Sequence, residues 1–156
     1  FAESFLCVVR PGHPAARRPL DLDTFCALRH VLVSPSGGAF EGTVDEALAT
    51  LGRRRQVMLS LNSFLLVPEL IAGSDFIATV PARLACNWSD RLAVLAPPCE
   101  VAGFEVMMGW HPRSHVDPAH GWLRNAMHRR FHALMAAMVS VSSTVSASLN
   151  CARTAS

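Results

Sequence analysis

His30-Val31-Leu32-Val33-Ser34-Pro35-Ser36-Gly37-Gly38, followed by Gly42-Thr43-Val44-Asp45-Glu46-Ala47-Leu48 and then Gln56-Val57-Met58-Leu59-Ser60-Leu61, is the stretch on which the fold turns. A β-rich run, a Ser/Pro/Gly break, a helical pattern and a second apolar run follow one another. In the helical part Val44, Ala47, Leu48 and Leu51 recur at i, i+3, i+4, i+7, which places them on one apolar face. Thr43 and Glu46 have capping-box spacing, and Gly52 stands where a helix ends. Arg53, Arg54 and Arg55 follow, where positive charge complements the helix dipole and the ordinary reading is a solvated basic turn.

The same rhythm extends in both directions. Ser4 to Arg10 reads as a buried strand stopped by Pro11-Gly12, and Asp21 or Asp23 can cap a short helix carrying Phe25 and Leu28. Downstream, Ser63 can cap a helix from Phe64 to Ala72, closed by Gly73 and bent or shifted in its start by Pro68. Phe76 to Val80 reads as a strand, Pro81 as the first turn of a helix running to about Trp88, and Leu92 to Leu95 as another strand. Beyond Ala96-Pro97-Pro98, a last strand is expected over Phe104 to Trp110. Asp117 as cap and Pro118 then open a long helix with Trp122, Leu123, Ala126, Met127, Phe131, Leu134 and Met138 on one side. Alternating strands and helices predict an α/β fold with a largely parallel sheet.

Composition narrows the function. With 156 residues, 51% of them hydrophobic, the chain can bury a core. Its net charge of +2, carried by 14 Arg and no Lys against 12 acidic residues, is too small for a surface that neutralises DNA phosphates. Cys7, Cys26, Cys86, Cys99 and Cys151 are odd in number and lack CxxC spacing, which points to reduced thiols and a cytoplasmic protein. No signal peptide is visible, and the opening on Phe1 leads us to expect a native N-terminus further upstream. The longest nearly apolar stretch, Ala133 to Val141, is about half the roughly 20 residues of a membrane span, so no membrane association is expected.

Catalytic and metal patterns are weak. His128 and His132 have the i, i+4 spacing of two helical metal ligands, but no third ligand is identifiable and Arg124, Arg129 and Arg130 oppose a cation. Ala72-Gly73-Ser74-Asp75-Phe76 lacks the GxSxG elbow, and the Ser34 to Gly38 loop is followed by no P-loop Lys. Neither an enzyme nor a metal or cofactor is indicated. Three segments nonetheless stand at strand-to-helix junctions, where open parallel sheets bind ligands: Ser34 to Gly38, Asn62 to Phe64 and Thr79 to Pro81. Their hydroxyls, backbone amides and one aromatic ring suit a small carboxylate or aromatic molecule, although ordinary turn and cap residues look the same.

Taken in order, Phe5-Leu-Cys-Val-Val-Arg-Pro-Gly-His-Pro14, His30-Val-Leu-Val-Ser-Pro-Ser-Gly-Gly38, Gly42-Thr-Val-Asp-Glu-Ala-Leu48, Ser74-Asp-Phe-Ile-Ala-Thr-Val-Pro-Ala-Arg83 and Gly109-Trp-His-Pro112 with Asp117-Pro118 and Trp122-Leu-Arg124 resemble the effector-binding domain of LysR-type transcriptional regulators. Ile77-Ala-Thr-Val-Pro81 and Trp110-His111 are similar to the branch that answers to aromatic compounds. The resemblance implies a fold like the type 2 periplasmic binding proteins, with two lobes joined by crossover strands around an effector. On that map residues 1–12 are a crossover strand and 13–98 a complete Rossmann-like lobe with a parallel or mixed sheet. Residues 99–138 are the return strand and C-terminal helix of a truncated lobe, and 139–156 a disordered tail.

Carried over position by position, the resemblance implies effector contacts at Ser34, Ser36, Gly37, Ser63, Phe64, Thr79, Met108 and Trp110. It implies no catalytic residue, a small-molecule effector, and a dimer or tetramer in the full-length protein. DNA would be met only through an N-terminal helix-turn-helix absent from this chain. A solute-binding protein of the same fold, or a truncated regulator fragment without function, is the alternative. Phe104, Val106, Met108, Trp122, Met127 and Phe131 would then lack the half-lobe that normally covers them, leaving the C-terminal helix to dock poorly or to self-associate.

Overall fold

The computed structural model describes residues 1–34 and 40–131. The tail expected over 139–156, together with Ser36, Gly37 and His132, lies outside the described residues. A five-stranded sheet in the order β4-β3-β5-β2-β6 organises residues 1–106. Its strands are β2 (Phe5–Val9), β3 (Arg29–Val33), β4 (Gln56–Leu61), β5 (Ile77–Pro81) and β6 (Ala93–Leu95). A separate two-stranded ribbon joins β1 (Ala2–Glu3) to β7 (Phe104–Glu105).

β3 runs parallel to both β4 and β5, as the β-α-β rhythm predicts. β2 is antiparallel to its two neighbours β5 and β6, so the sheet is mixed. The reason is topological: the segment leaving β2 at Arg10 and the segment entering β3 at Arg29 occupy the same sheet edge, which reverses the chain between them.

Both faces of the sheet are covered. Strand alternation sends Val8, Val31, Ala78 and Val80 to one side, against Val67 and Ile71 of α3 (Val67–Ala72) and Ala85 of α4 (Ala82–Asn87). Cys7, Val9 and Ile77 point to the other, against Phe25 of α1 (Leu22–Ala27) and Val44 and Leu48 of α2 (Thr43–Thr50). Coverage on both faces explains why β2 and β5 read as continuous apolar runs.

Local signals mostly act where the residues predict, with informative exceptions. Asp21 caps α1, accepting from Thr24 N–H at 2.7 Å and from the Thr24 hydroxyl at 2.7 Å. Asp21→Ala is expected to destabilise by about 1 kcal/mol in urea unfolding. α2 is capped differently from expectation: Gly42 is the N-cap, and Asp45, not Glu46, accepts from its backbone N–H at 2.8 Å. Asp45 is drawn there because it also receives Arg55, whose Nε and Nη2 donate to its two oxygens at 2.9 and 2.7 Å. Arg55 is therefore no part of a solvated turn; its side chain is 1% exposed. Arg53 pairs with Asp23.

Gly52 closes α2 at φ +64°, with Arg53 N–H donating to Leu48 O at 2.9 Å, a Schellman end. Pro68 shifts the start of its helix, so that a 3-10 turn at Phe64–Leu66 precedes α3. Pro81 is the last residue of β5 and the N-cap of α4, not a residue of that helix's first turn, because it stays in register opposite Phe5.

The strand expected over Phe104 to Trp110 shrinks to Phe104–Glu105. Ala2 and Glu3 pair with it, and Phe1 adds one further step, its amino group donating to Val106 O and Val106 N–H donating to Phe1 O, each at 2.9 Å; beyond Val106 the run makes no ladder among the described residues. Gly103 permits even that pairing, since a Cβ there would meet Glu3 O at 2.4 Å.

Met107–Ser156 forms a second unit. Asp117 accepts from Ala119 N–H at 2.8 Å and His120 N–H at 3.2 Å, capping a helix over 118–131 as expected. Trp122, Leu123, Met127 and Phe131 are exposed on it.

Candidate functional site

Because β3, β4 and β5 are parallel, their C-terminal ends open on one edge of the sheet. Val33 is level with Leu61, and Ser34 N–H donates to Leu61 O at 2.7 Å, so the loops after β3 and β4 leave the sheet side by side. Ser34 is 8% exposed. Two residues beyond Leu61, the Ser63 hydroxyl accepts from Leu65 N–H at 3.2 Å and caps the 3-10 turn. The β3–β5 register brings Pro81 to the same edge. Ser34, Ser63 and the end of β5 thus come together as the sequence predicts.

Other expected contacts are placed differently. Thr79 is the middle residue of β5, not its end, and its hydroxyl lies 3.5 Å from Cys7 Sγ across the ladder. Burial pushes that thiol up to about 12, which removes Cys7 as a nucleophile. Phe64 packs partly buried against the α3 side of the core. Sequence reasoning missed the exposed apolar side chains around this edge: Leu65 and Leu66, 85% and 53% exposed, and Phe40, 57% exposed. Their signal is an apolar pair inside a cap-and-turn segment, which is masked by the helix pattern expected over Phe64 to Ala72.

Within the second unit, Met108 is 40% exposed in irregular backbone. Trp110 stacks on His115, with centroids 6.2 Å apart and planes 10° from parallel, and its Nε1–H donates to His115 Nδ1 at 3.3 Å. Arg124 lies over the Trp110 ring at 4.8 Å and donates to Ser114 O and His115 O, each at 2.9 Å. Arg124 therefore ties the turn at Pro112–Ser114 to the helix that follows it.

A second feature lies at the opposite edge of the sheet, where β2 ends and β3 and β5 begin. A recess of about 360 Å³ opens there, walled by Arg10, His13, Arg18, Arg29 and Asp75 among others. His13 stands just past the Pro11-Gly12 turn that ends β2. Among the described residues, no group of three or more His, Cys, Asp or Glu could hold a metal ion. No helix among them is long and apolar enough to cross a membrane.

The substrate-binding domain family of LysR regulators matches residues 1–132. The chain is 37% identical to the HTH-type transcriptional regulator SyrM of Rhizobium meliloti (strain 1021) over 80% of its length, and 36% identical to the HTH-type transcriptional activator NahR of Pseudomonas putida over 79%. It spans only 39% and 41% of those two proteins. The regulatory domain of MexT, a transcriptional activator in Pseudomonas aeruginosa, superposes with a TM-score of 0.71 at 36% identity, covering 81% of this chain and 63% of that one. These relatives are transcriptional regulators, not enzymes. A doubly covered mixed sheet, a family match across most of the chain and likeness to a solved regulatory domain all agree: this chain belongs to the LysR substrate-binding domain family, with its periplasmic-binding-protein-like α/β fold.

Proposed function

We propose that this chain is the ligand-sensing part of a bacterial transcription regulator and takes a small aromatic or carboxylate effector at the edge formed by the ends of β3, β4 and β5. The observation that carries this reading is the convergence of Ser34, Ser63 and Pro81 on one sheet edge, beside the exposed Leu65, Leu66 and Phe40. Hydroxyls can orient a polar group there while the exposed apolar side chains cover a ring.

On this reading residues 13–98 are the effector lobe, 1–12 its crossover strand, and 99–138 the return strand and C-terminal helix of a truncated lobe. Preference of the effector for the closed arrangement biases a DNA-bound dimer or tetramer, whose DNA contact comes from a helix-turn-helix outside this chain. The protein works in the cytoplasm without a cofactor.

Thermal-shift titration with benzoate and ring-substituted benzoates tests the site. At about 100 times its dissociation constant a ligand adds roughly 2.7 kcal/mol. Ser63→Ala is expected to weaken binding by about tenfold, the worth of one hydroxyl hydrogen bond. Ser63→Thr, which keeps the cap and the hydroxyl, is expected to bind as the parent does. Binding that is indifferent to Ser63→Ala would remove this edge as the site.

A further inference from the structure

The recess at the opposite edge owes nothing to the ends of β3, β4 and β5, and we propose that it is a second ligand site, for a small monocarboxylate with a short apolar body. Its volume of about 360 Å³ lies at the lower end of the range of small-molecule sites. Leu20, Ala27 and Leu28 supply an apolar wall that a bare inorganic anion would leave unused.

The two carboxylates on its wall are already engaged. Asp75 accepts from Arg10 Nε at 2.8 Å and lies 2.7 Å from Arg10 Nη2, and Asp21 is committed to Thr24 as the cap of α1. Two further guanidiniums, each in only a loose ionic contact and with no hydrogen bond among the described residues, can turn to an occupant. Arg29 lies over the Phe76 ring at 5.3 Å and helps hold the Asp75 carboxyl low, but its guanidinium makes no hydrogen bond among the described residues. Arg18, with a side chain 74% exposed, comes no nearer than 3.8 Å to Asp21.

His13 is the independent sign of a built site. The residue is only 3% exposed yet lines the recess. Its Nδ1 accepts from Ala15 N–H at 3.1 Å, which assigns the proton of a neutral ring to Nε2. That Nε2–H has no acceptor among the described residues. A donor on an otherwise buried ring, itself not fully enclosed and free of a protein acceptor, is what a bound carboxylate oxygen can meet in the recess, with Arg18 and Arg29 neutralising its charge.

The test is a butyrate titration of the full chain labelled with ¹⁵N, read by long-range ¹H–¹⁵N spectra of the histidine rings. The expected result is a saturating shift of the His13 Nε2 signal. Affinity should fall by about tenfold or more in the Arg18→Gln/Arg29→Gln variant, whose exposed positions leave the fold intact by circular dichroism. His13→Asn, which can still accept from Ala15 N–H, should also lose affinity. Ser63→Ala should leave this titration unchanged, which separates the site from the one at the other edge. A shift that does not saturate, affinity unchanged by the paired arginine substitutions, or equal saturation by inorganic phosphate would overturn the proposal. So would a response abolished by Ser63→Ala.

Discussion

Asp45→Ala is expected to destabilise the chain by about 3–5 kcal/mol, a large part of the total stability of an ordinary domain. The substitution strands a charge. Arg55 is 1% exposed and gives two of its donors to Asp45, so without the carboxylate its guanidinium stays buried with no counter-ion. The same carboxylate accepts from Gly42 N–H, so the start of α2 loses its tie as well. Burial by itself would raise the Asp45 carboxyl, but the hydrogen bonds and charge of Arg55 outweigh it and hold the group below the usual carboxylate range.

Urea unfolding of the variant should show a lower midpoint with an unchanged slope. Replacing both partners, Asp45→Leu with Arg55→Met, should recover most of the loss, because the penalty arises from an unpaired charge and not from the missing pair. A double variant as unstable as the single one would contradict this account.

Acid should weaken the fold before its carboxylates titrate, and His30 is the cause. The side chain is fully buried on β3, edge-on to Phe25 at 4.6 Å. Its Nε2–H donates to Phe25 O at 2.7 Å, and Nδ1 is buried without a partner. Burial lowers its pKa to about 4 from 6.5, with Arg55 adding to the shift while the Phe25 carbonyl and Asp45 oppose it. The unfolded chain therefore binds a proton on this residue near pH 6.5 that the folded chain refuses until about pH 4.

The stabilisation from His30 is complete above 6.5 and drains away as the pH falls towards 4. Between pH 7.5 and 4.5 the loss should be about 2–3 kcal/mol. His30→Leu should flatten that slope, measured as unfolding free energies at the two pH values. Asp75 and Asp21, held low by Arg10 and by Thr24, contribute their own pH dependence only at more acid values.

The α/β architecture was legible because it rests on local chemistry. The apolar runs of β2 to β6, the Asp21, Ser63 and Asp117 caps, Gly52 and Pro68 all act through neighbours within a few residues of themselves. The edge shared by Ser34, Ser63 and Pro81 was legible for the same reason: successive β-α units in a parallel sheet put strand ends on one side. The readings that changed depend on partners far along the chain. Thr79 faces Cys7 across 72 residues, and Arg55 reaches Asp45 across ten. The Phe104 to Trp110 run has the apolar content of a strand, but among the described residues its backbone pairing ends at Val106, opposite Phe1.

By itself the amino-acid order determined most strands and helices, the caps at Asp21, Ser63 and Asp117, the end of α2 at Gly52, and the family. Those properties follow from backbone propensity, side-chain periodicity and capping, which are local. Tertiary structure alone decided the reversed β2, the burial of Arg55 and His30, and the recess that gathers Arg10, His13, Arg29 and Asp75 at the far edge. Each of these requires knowing which segments become neighbours, and desolvation and charge pairing act only after that choice is made.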